Sequence, residues 1–313
     1  MIDAIAIVVG LALLIKGGDW LLDASVALSL RLNVPKIVIG MTVVSFATSA
    51  PELIVSIKSA LKGFPDLALG NIVGSNIANL AFVLGTVIVI SPINVTKSFY
   101  KADWPIMILA TFLFYFFLVD DRIISQVEGG ILLIALVLFL LVILVFQKKA
   151  VIEESLEVNQ IELTLQKMIG LLLLGSFCLW LGAEVLVGSA VSIAQSMGVS
   201  ERIVSISVIS LGTSIPELSA SIIAIFNKEK AISLGNLIGS NIFNILAVMG
   251  ATALIHPIQI VDQALLSNDM YWMLAVSISI LPLVFFPRFM RLGRYEGLFL
   301  ISFYALFIYQ MFS

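Results

Sequence analysis

The chain repeats itself at one fixed offset, and this repeat restricts the fold more than any other feature. The stretch Ser45-Phe46-Ala47-Thr48-Ser49-Ala50-Pro51-Glu52 returns 165 residues later as Ser210-Leu211-Gly212-Thr213-Ser214-Ile215-Pro216-Glu217. Gly70-Asn71-Ile72-Val73-Gly74-Ser75-Asn76-Ile77-Ala78-Asn79 returns at the same offset as Gly235-Asn236-Leu237-Ile238-Gly239-Ser240-Asn241-Ile242-Phe243-Asn244. Gly17 and Gly182, Asp19 and Glu184, Val34 and Val199, and Pro92 and Pro257 keep it too. Chance does not hold one offset over so many matched positions. The chain is a duplication.

What is duplicated follows from hydropathy. The chain is 60% hydrophobic and 12% charged, with a mean hydropathy of +1.13, against roughly 45–50% and about 25% in a soluble domain. A membrane span takes about 20 mostly apolar residues. Ten such stretches run over 2–30, 36–61, 67–90, 104–119, 128–146, 167–196, 203–226, 231–254, 269–286 and 295–312. The opening stretch has no basic leader segment and is read as a first span. Trp20, Trp104, Trp180 and Trp272 lie near span ends and are read as interfacial anchors. The only substantial polar loop carries Lys148, Lys149, Glu153, Glu154, Glu157 and Glu162. It divides the chain into a first five-span repeat (1–146), a linker (147–166) and a second five-span repeat (167–313).

Five is an odd number, so the second copy enters the membrane from the opposite face. The expected fold is therefore an all-α membrane protein, with ten transmembrane helices as two inverted five-helix repeats. Secondary transporters use this design, with substrate sites on broken helices near the midplane. Setting Lys16 aside, the loops divide Lys and Arg 12 to 4 between the two sides. The richer side is the cytoplasmic one. The central loop is thus expected inside and both termini outside, in the plasma (inner) membrane.

Candidate ligands follow from the duplicated polar positions. Proline lacks an N–H, so Pro51 and Pro216 leave the carbonyls of Ala47 and Gly212 without helical partners and break or kink the helix. A carbonyl, neighbouring hydroxyls and a carboxylate on one turn are oxygen ligands of the kind a hard cation takes. An ionisable group in a membrane span is a functional hypothesis in its own right, which singles out Glu52 and Glu217. On the third span of each half, Ser75 and Asn79, and likewise Ser240 and Asn244, are four residues apart on one face. Interhelical hydrogen bonding would explain either cluster alone; duplication beside a Pro-Glu break favours cation ligation. Gly70, Gly74, Gly235 and Gly239 read as close helix packing. Asp19 and Glu184 are weaker candidates, since Lys16 lies three residues from Asp19. Two carboxylates match the charge of one Ca2+, and Na+ ions could share the same oxygens. Cys178 is alone and reads as packing.

The paired Thr-Ser-x-Pro-Glu and Gly-Asn-x-x-Gly-Ser-x-x-x-Asn motifs resemble the two repeats of the sodium/calcium exchanger family, within the cation/Ca2+ antiporter superfamily. The resemblance covers the whole chain and is closest to the compact prokaryotic members. It implies that Glu52 and Glu217 are central ligands shared by Ca2+ and Na+. Thr48, Ser49, Thr213 and Ser214 would give hydroxyl and carbonyl oxygens, Ser45 and Ser210 backbone carbonyls. Ser75, Asn79, Ser240 and Asn244 would complete flanking sites. It also implies electrogenic exchange by alternating access, the first and sixth spans sliding against the rest, with no cofactor beyond the transported Ca2+ and Na+. Two departures stand out: Ala47 and Ala50 replace the family's usual Gly and Leu, and Asn244 stands where relatives that also move K+ carry Asp.

The nearest rival is an antiporter of H+ for Ca2+, or of another divalent cation, on the same fold. Mg2+ fits least, because it dehydrates reluctantly. The only histidine, His256, excludes a His-Glu-x-x-His intramembrane protease. A carboxylate-pair protease would leave the hydroxyls and Asn pairs without a role, and a channel fits two inverted, broken helices poorly. The chain is therefore expected to be a transporter and not an enzyme, with Ca2+, Na+ and membrane lipid as partners, no nucleic acid, and a monomeric state.

Overall fold

Among the described residues, helix falls within each of the ten expected stretches, in the seventh from Ser210 onward. The computed structural model describes residues 2–147, 163–196 and 210–312. The central linker, apart from its ends, lies outside them, as do Val199 and Arg202. We number the helices α1 (Ile2–Leu32), α2 (Lys36–Thr48), α3 (Ala50–Leu61), α4 (Pro65–Ile90), α5 (Phe99–Asp120), α6 (Gln126–Gln147), α7 (Leu165–Ser196), α8 (Ser210–Gly212), α9 (Ile215–Phe226), α10 (Lys230–Ile255), α11 (Leu265–Phe285) and α12 (Arg294–Phe312). Among the described residues, seven helices are long and apolar enough to cross a membrane alone, and α2 with α3 makes an eighth, broken span. Helix α9 is short and α12 is diluted by Arg294, Glu296 and Gln310.

Contacts group the described helices into two compact units, each drawing on both halves of the sequence. The first falls within Met1–Thr48 and Lys148–Asn236. Its spine is the long contact of α1 with α7, and the crossing is built from glycine. A Cβ placed on Gly10 would lie 3.0 Å from the Gly182 carbonyl oxygen, and one on Gly17 would lie 2.8 Å from that of Gly175. Gly175 is the repeat of Gly10, and Gly182 the repeat of Gly17. The helices therefore cross antiparallel, each half presenting the same surface to the other, as an inverted repeat requires. Leu14, Leu21, Leu22 and Val26 on α1 join Leu179 and Ala183 on α7 in one apolar cluster with Ala220, Ile223 and Ala224 on α9.

The second unit falls within Ser49–Gln147 and Leu237–Ser313. Here the third span of each half packs on the fifth span of the other, α4 on α12 and α10 on α6. Gly85 meets Gly297 across the first contact and Gly250 meets Gly129 across the second. Two short antiparallel pairs repeat the same relation: β1 (Ile93–Asn94) pairs with β4 (Arg291–Leu292), and β2 (Ile123–Ile124) with β3 (Ile258–Gln259). Between Gly129 and Gly297 the offset is 168, so the repeat has gained three residues by the fifth span.

Three expectations need correction. Helix α5 begins at Phe99, ahead of Trp104, through a π-helical turn over Phe99–Asp103. That wider turn lets the helix pass Pro105, which has no N–H to give. Trp104 is an interhelical tie more than an interfacial anchor: its indole N–H donates to the Ser277 carbonyl at 2.9 Å. Close packing also holds for only some of the motif glycines. Gly235 fits against the Ile37 carbonyl, whereas a Cβ on Gly74 would meet nothing within 4 Å.

Candidate cation site

The Pro-Glu motifs break their helices at matching places. Ser49 has φ −86° and ψ 6°, and Ser214 has φ −89° and ψ 3°, both off the helical path. Helix resumes one residue later with the proline in its first turn, where the missing N–H costs nothing. Glu52 and Glu217 fall in that first turn. The positive end of a helix dipole favours a carboxylate there. Both glutamates are 0% exposed.

The first unit holds Ser45, Thr48, Thr213, Ser214 and Glu217, together with the backbone of Ser210. The Ser210 side chain lies outside the described residues. Ser45 and Thr48 are buried on the last turn of α2, which packs against α9, the helix that carries Glu217. The Ser45 hydroxyl reaches the carbonyls of Gly40 (2.8 Å) and Asn236 (2.9 Å). The Thr48 hydroxyl donates to Asn236 Oδ1 at 3.2 Å and, more weakly, to the Ser45 carbonyl at 3.4 Å. Asn236 Nδ2 in turn donates to Ser221 Oγ at 3.1 Å. Ser214 Oγ is buried with no hydrogen bond among the described residues. Thr213 is only half-buried, unlike its counterpart Thr48.

The second unit holds Ser49, Glu52, Ser75, Asn79, Ser240 and Asn244, all buried. Helix α3 packs against the start of α4 and against a π-helical turn over Asn244–Met249 in α10. Asn79 sits in the matching π turn of α4, Ala78–Val83. Such turns interrupt the regular ladder and recur at functional sites. Neither side-chain atom of Asn79 has a hydrogen-bond partner among the described residues, nor does Asn244 Oδ1. Buried amide oxygens without partners are costly, and an amide oxygen is a ligand a hard cation accepts. Asn71 Nδ2 donates to Ser56 Oγ at 3.1 Å and lies 3.5 Å from the Glu52 carbonyl.

Carboxylates alone do not build a metal centre here. Among the described residues no three His, Cys, Asp or Glu side chains gather. Neutral oxygens, from hydroxyls, amides and the backbone, would have to supply most of any coordination shell. The sequence reading missed the supporting residues Asn71, Asn236, Ser56 and Ser221. Their signal was present: 56 to 221 and 71 to 236 keep the same offset of 165.

A family model described as sodium/calcium exchanger protein matches residues 2–145 and 167–313. The chain is 37% identical over 320 residues to CaxA of Alkalimonas amylolytica, which carries the name of an antiporter; the match covers 100% of this chain and 99% of that one. It is 28% identical to the sodium/calcium exchanger MaX1 of Methanosarcina acetivorans over 99% of each chain. A solved structure of the sodium-calcium exchanger NCX_Mj superposes with a TM-score of 0.83, at 27% identity over 98% of each chain. The full-length match, the doubled motif and the shared fold agree: this chain belongs to the sodium/calcium exchanger family, a transmembrane family of cation/Ca2+ exchangers.

Proposed function

We propose that the chain exchanges Na+ for Ca2+ across the membrane by alternating access. One observation carries the reading: Glu52 and Glu217 are both fully buried in the first turn of a helix that resumes after a break in an apolar run. A carboxylate buried in a membrane protein is costly unless a cation or partner compensates it. Glu52 and Glu217 then serve as the charged ligands, their two negative charges matching Ca2+. Ser45, Thr48, Ser49, Ser210, Thr213 and Ser214 offer hydroxyl and backbone oxygens. Ser75, Asn79, Ser240 and Asn244 complete the set. The orphaned amide oxygens of Asn79 and Asn244 support their part in it. Na+ competes for subsets of the same oxygens.

Residues 1–146 and 167–313 act as the two inverted repeats, joined by the 147–166 linker. Alternating access uses α1 and α7 as the moving pair. Their glycine-lined crossing supports this, because smooth backbone-to-backbone surfaces can shift together as one body. The loop charges favour a cytoplasmic central linker and outside termini in the plasma membrane. A relative at 35% identity over 94% of this chain is named as the inner membrane protein YrbG of Escherichia coli. The working form is a monomer.

The test is Ca2+ uptake into proteoliposomes of purified protein under an outward Na+ gradient, then an outward H+ gradient, each with and without Glu52→Gln. Uptake that requires the Na+ gradient and is lost in Glu52→Gln is the expected result. Uptake driven by H+ alone would move the chain to the proton-coupled reading on the same fold.

A further inference from the structure

Three buried side chains of the second unit form a chain of contacts that ends at a candidate ligand. Met273 on α11, Asn76 on α4 and Asn244 on α10 are each no more than 1% exposed. Asn76 Nδ2 donates to Met273 Sδ at 3.7 Å, and Asn76 Oδ1 accepts from Asn244 Nδ2 at 3.1 Å. Asn244 Oδ1 is buried with no hydrogen-bond partner among the described residues.

An amide can be turned end for end with little change of shape, so its neighbours decide which end is which. A thioether sulfur accepts and cannot donate. Met273 therefore takes the NH2 end of Asn76, which leaves the Asn76 oxygen toward Asn244. That oxygen also only accepts, so Asn244 must turn its own NH2 end to Asn76. The Asn244 oxygen is then directed away from Asn76. Turned the other way, Asn244 would set N–H groups where that oxygen stands, and an N–H group repels a cation. Outer partners of this kind fix the orientation of a ligand, and their loss typically costs 10–100-fold in metal affinity.

We propose that Asn76 is a positioning residue for cation binding: it holds the Asn244 amide so that oxygen, and not nitrogen, is presented as the ligand. This rests on the reading of Asn244 as a ligand and assigns a role to a residue outside the ligand set. The bond to Asn76 uses only the nitrogen of Asn244, so positioning and ligation do not compete for one atom. Asn241, at the same motif position in the second repeat, gives its Nδ2 to the Leu237 carbonyl of its own helix at 2.8 Å and serves as the control.

The test is equilibrium binding of radioactive Ca2+ to the purified protein in Na+-free detergent solution, for Asn76→Leu, Asn244→Ala, the double variant and Asn241→Leu. Leucine keeps the bulk of asparagine and removes the acceptor. Asn76→Leu is expected to weaken Ca2+ binding about tenfold or more, and Asn244→Ala at least as much. The double variant should bind no more weakly than Asn244→Ala, because Asn76 acts only through Asn244. Asn241→Leu should have a smaller effect. Asn76→Ala is read in the same way if the leucine variant does not accumulate. A purely structural Asn76 would lower the melting temperature and leave the affinity in place. Unchanged affinity in Asn76→Leu beside weakened binding in Asn244→Ala, multiplied losses in the double variant, or an equal loss in Asn241→Leu would overturn the positioning role. Unchanged affinity in Asn244→Ala would instead remove Asn244 from the ligand set, and the proposal with it.

Discussion

Asn244 donates through Nδ2 to Asn76 Oδ1 at 3.1 Å, and the repeat does not copy this bond. The corresponding residues are Asn79 and Asn241. Asn241 Nδ2 turns to the Leu237 carbonyl at 2.8 Å instead, and the Asn79 amide has no partner among the described residues. Two positions that look alike in sequence are therefore held differently. One amide is tethered and the other is not.

The tether separates stability from transport. Asn244→Ala strips the partner from a buried Asn76 oxygen and is expected to destabilise the protein by about 1–3 kcal/mol. Asn79→Ala breaks no such bond and is expected to leave stability within about 1 kcal/mol while still impairing uptake. Thermal unfolding of both variants in detergent, set beside their uptake rates, checks the split. Equal loss of stability would refute the difference.

The α1–α7 crossing tolerates no side chain at its centre. A Cβ on Gly17 would come within 2.8 Å of both the Gly175 carbonyl oxygen and the Leu179 nitrogen, and backbone cannot step aside as a side chain can. Gly17→Ala is expected to cost about 1–3 kcal/mol through overpacking and to slow transport. Gly130→Ala serves as control, since its Cβ would meet nothing within 4 Å. Melting temperatures of the two variants should separate clearly.

Lys36 at the start of α2 and Glu229 just before α10 form an ion pair of 2.7 Å with both side chains about one-fifth exposed. A pair of this exposure contributes about 0.5–1 kcal/mol, less at high salt. A double-mutant cycle with Lys36→Met and Glu229→Gln should return a coupling of that size that fades as NaCl is raised. Coupling insensitive to salt would contradict an electrostatic origin.

Asp66 accepts from two consecutive backbone N–H groups, those of Val261 (2.9 Å) and Asp262 (3.0 Å). Asp66→Asn keeps the shape and loses the charge assistance, and about 1 kcal/mol with it. Hydrogen exchange at Val261 and Asp262 should quicken in the variant. Unchanged exchange there would show that the carboxylate does not hold this loop.

Much of this was legible in the sequence, for a definite reason. Pro51 and Pro216 break their helices because proline chemistry is local and needs no tertiary context. The fixed offset placed the helices and paired Glu52 with Glu217. The sequence did not show that Thr48 is buried while Thr213 is half-buried, since exposure depends on packing neighbours. It did not show Trp104 reaching Ser277, because an indole near a span end can turn either toward the interface or inward. Asn71 and Asn236 were visible as motif letters, but their work is defined by Ser56, Ser221 and Thr48, fifteen or more residues away in the chain.

The crossing of Gly10 with Gly182 and of Gly17 with Gly175 has the logic of a symmetric homodimer retained within one chain. Each surface is its own complement, so every position at the crossing has a twin that lives under the same spatial rule. A substitution in one half meets a partner still shaped for the old residue, and only a matching change at the twin restores the fit. The duplication doubled the Pro-Glu motif, and it also bound the two halves to drift together along that seam.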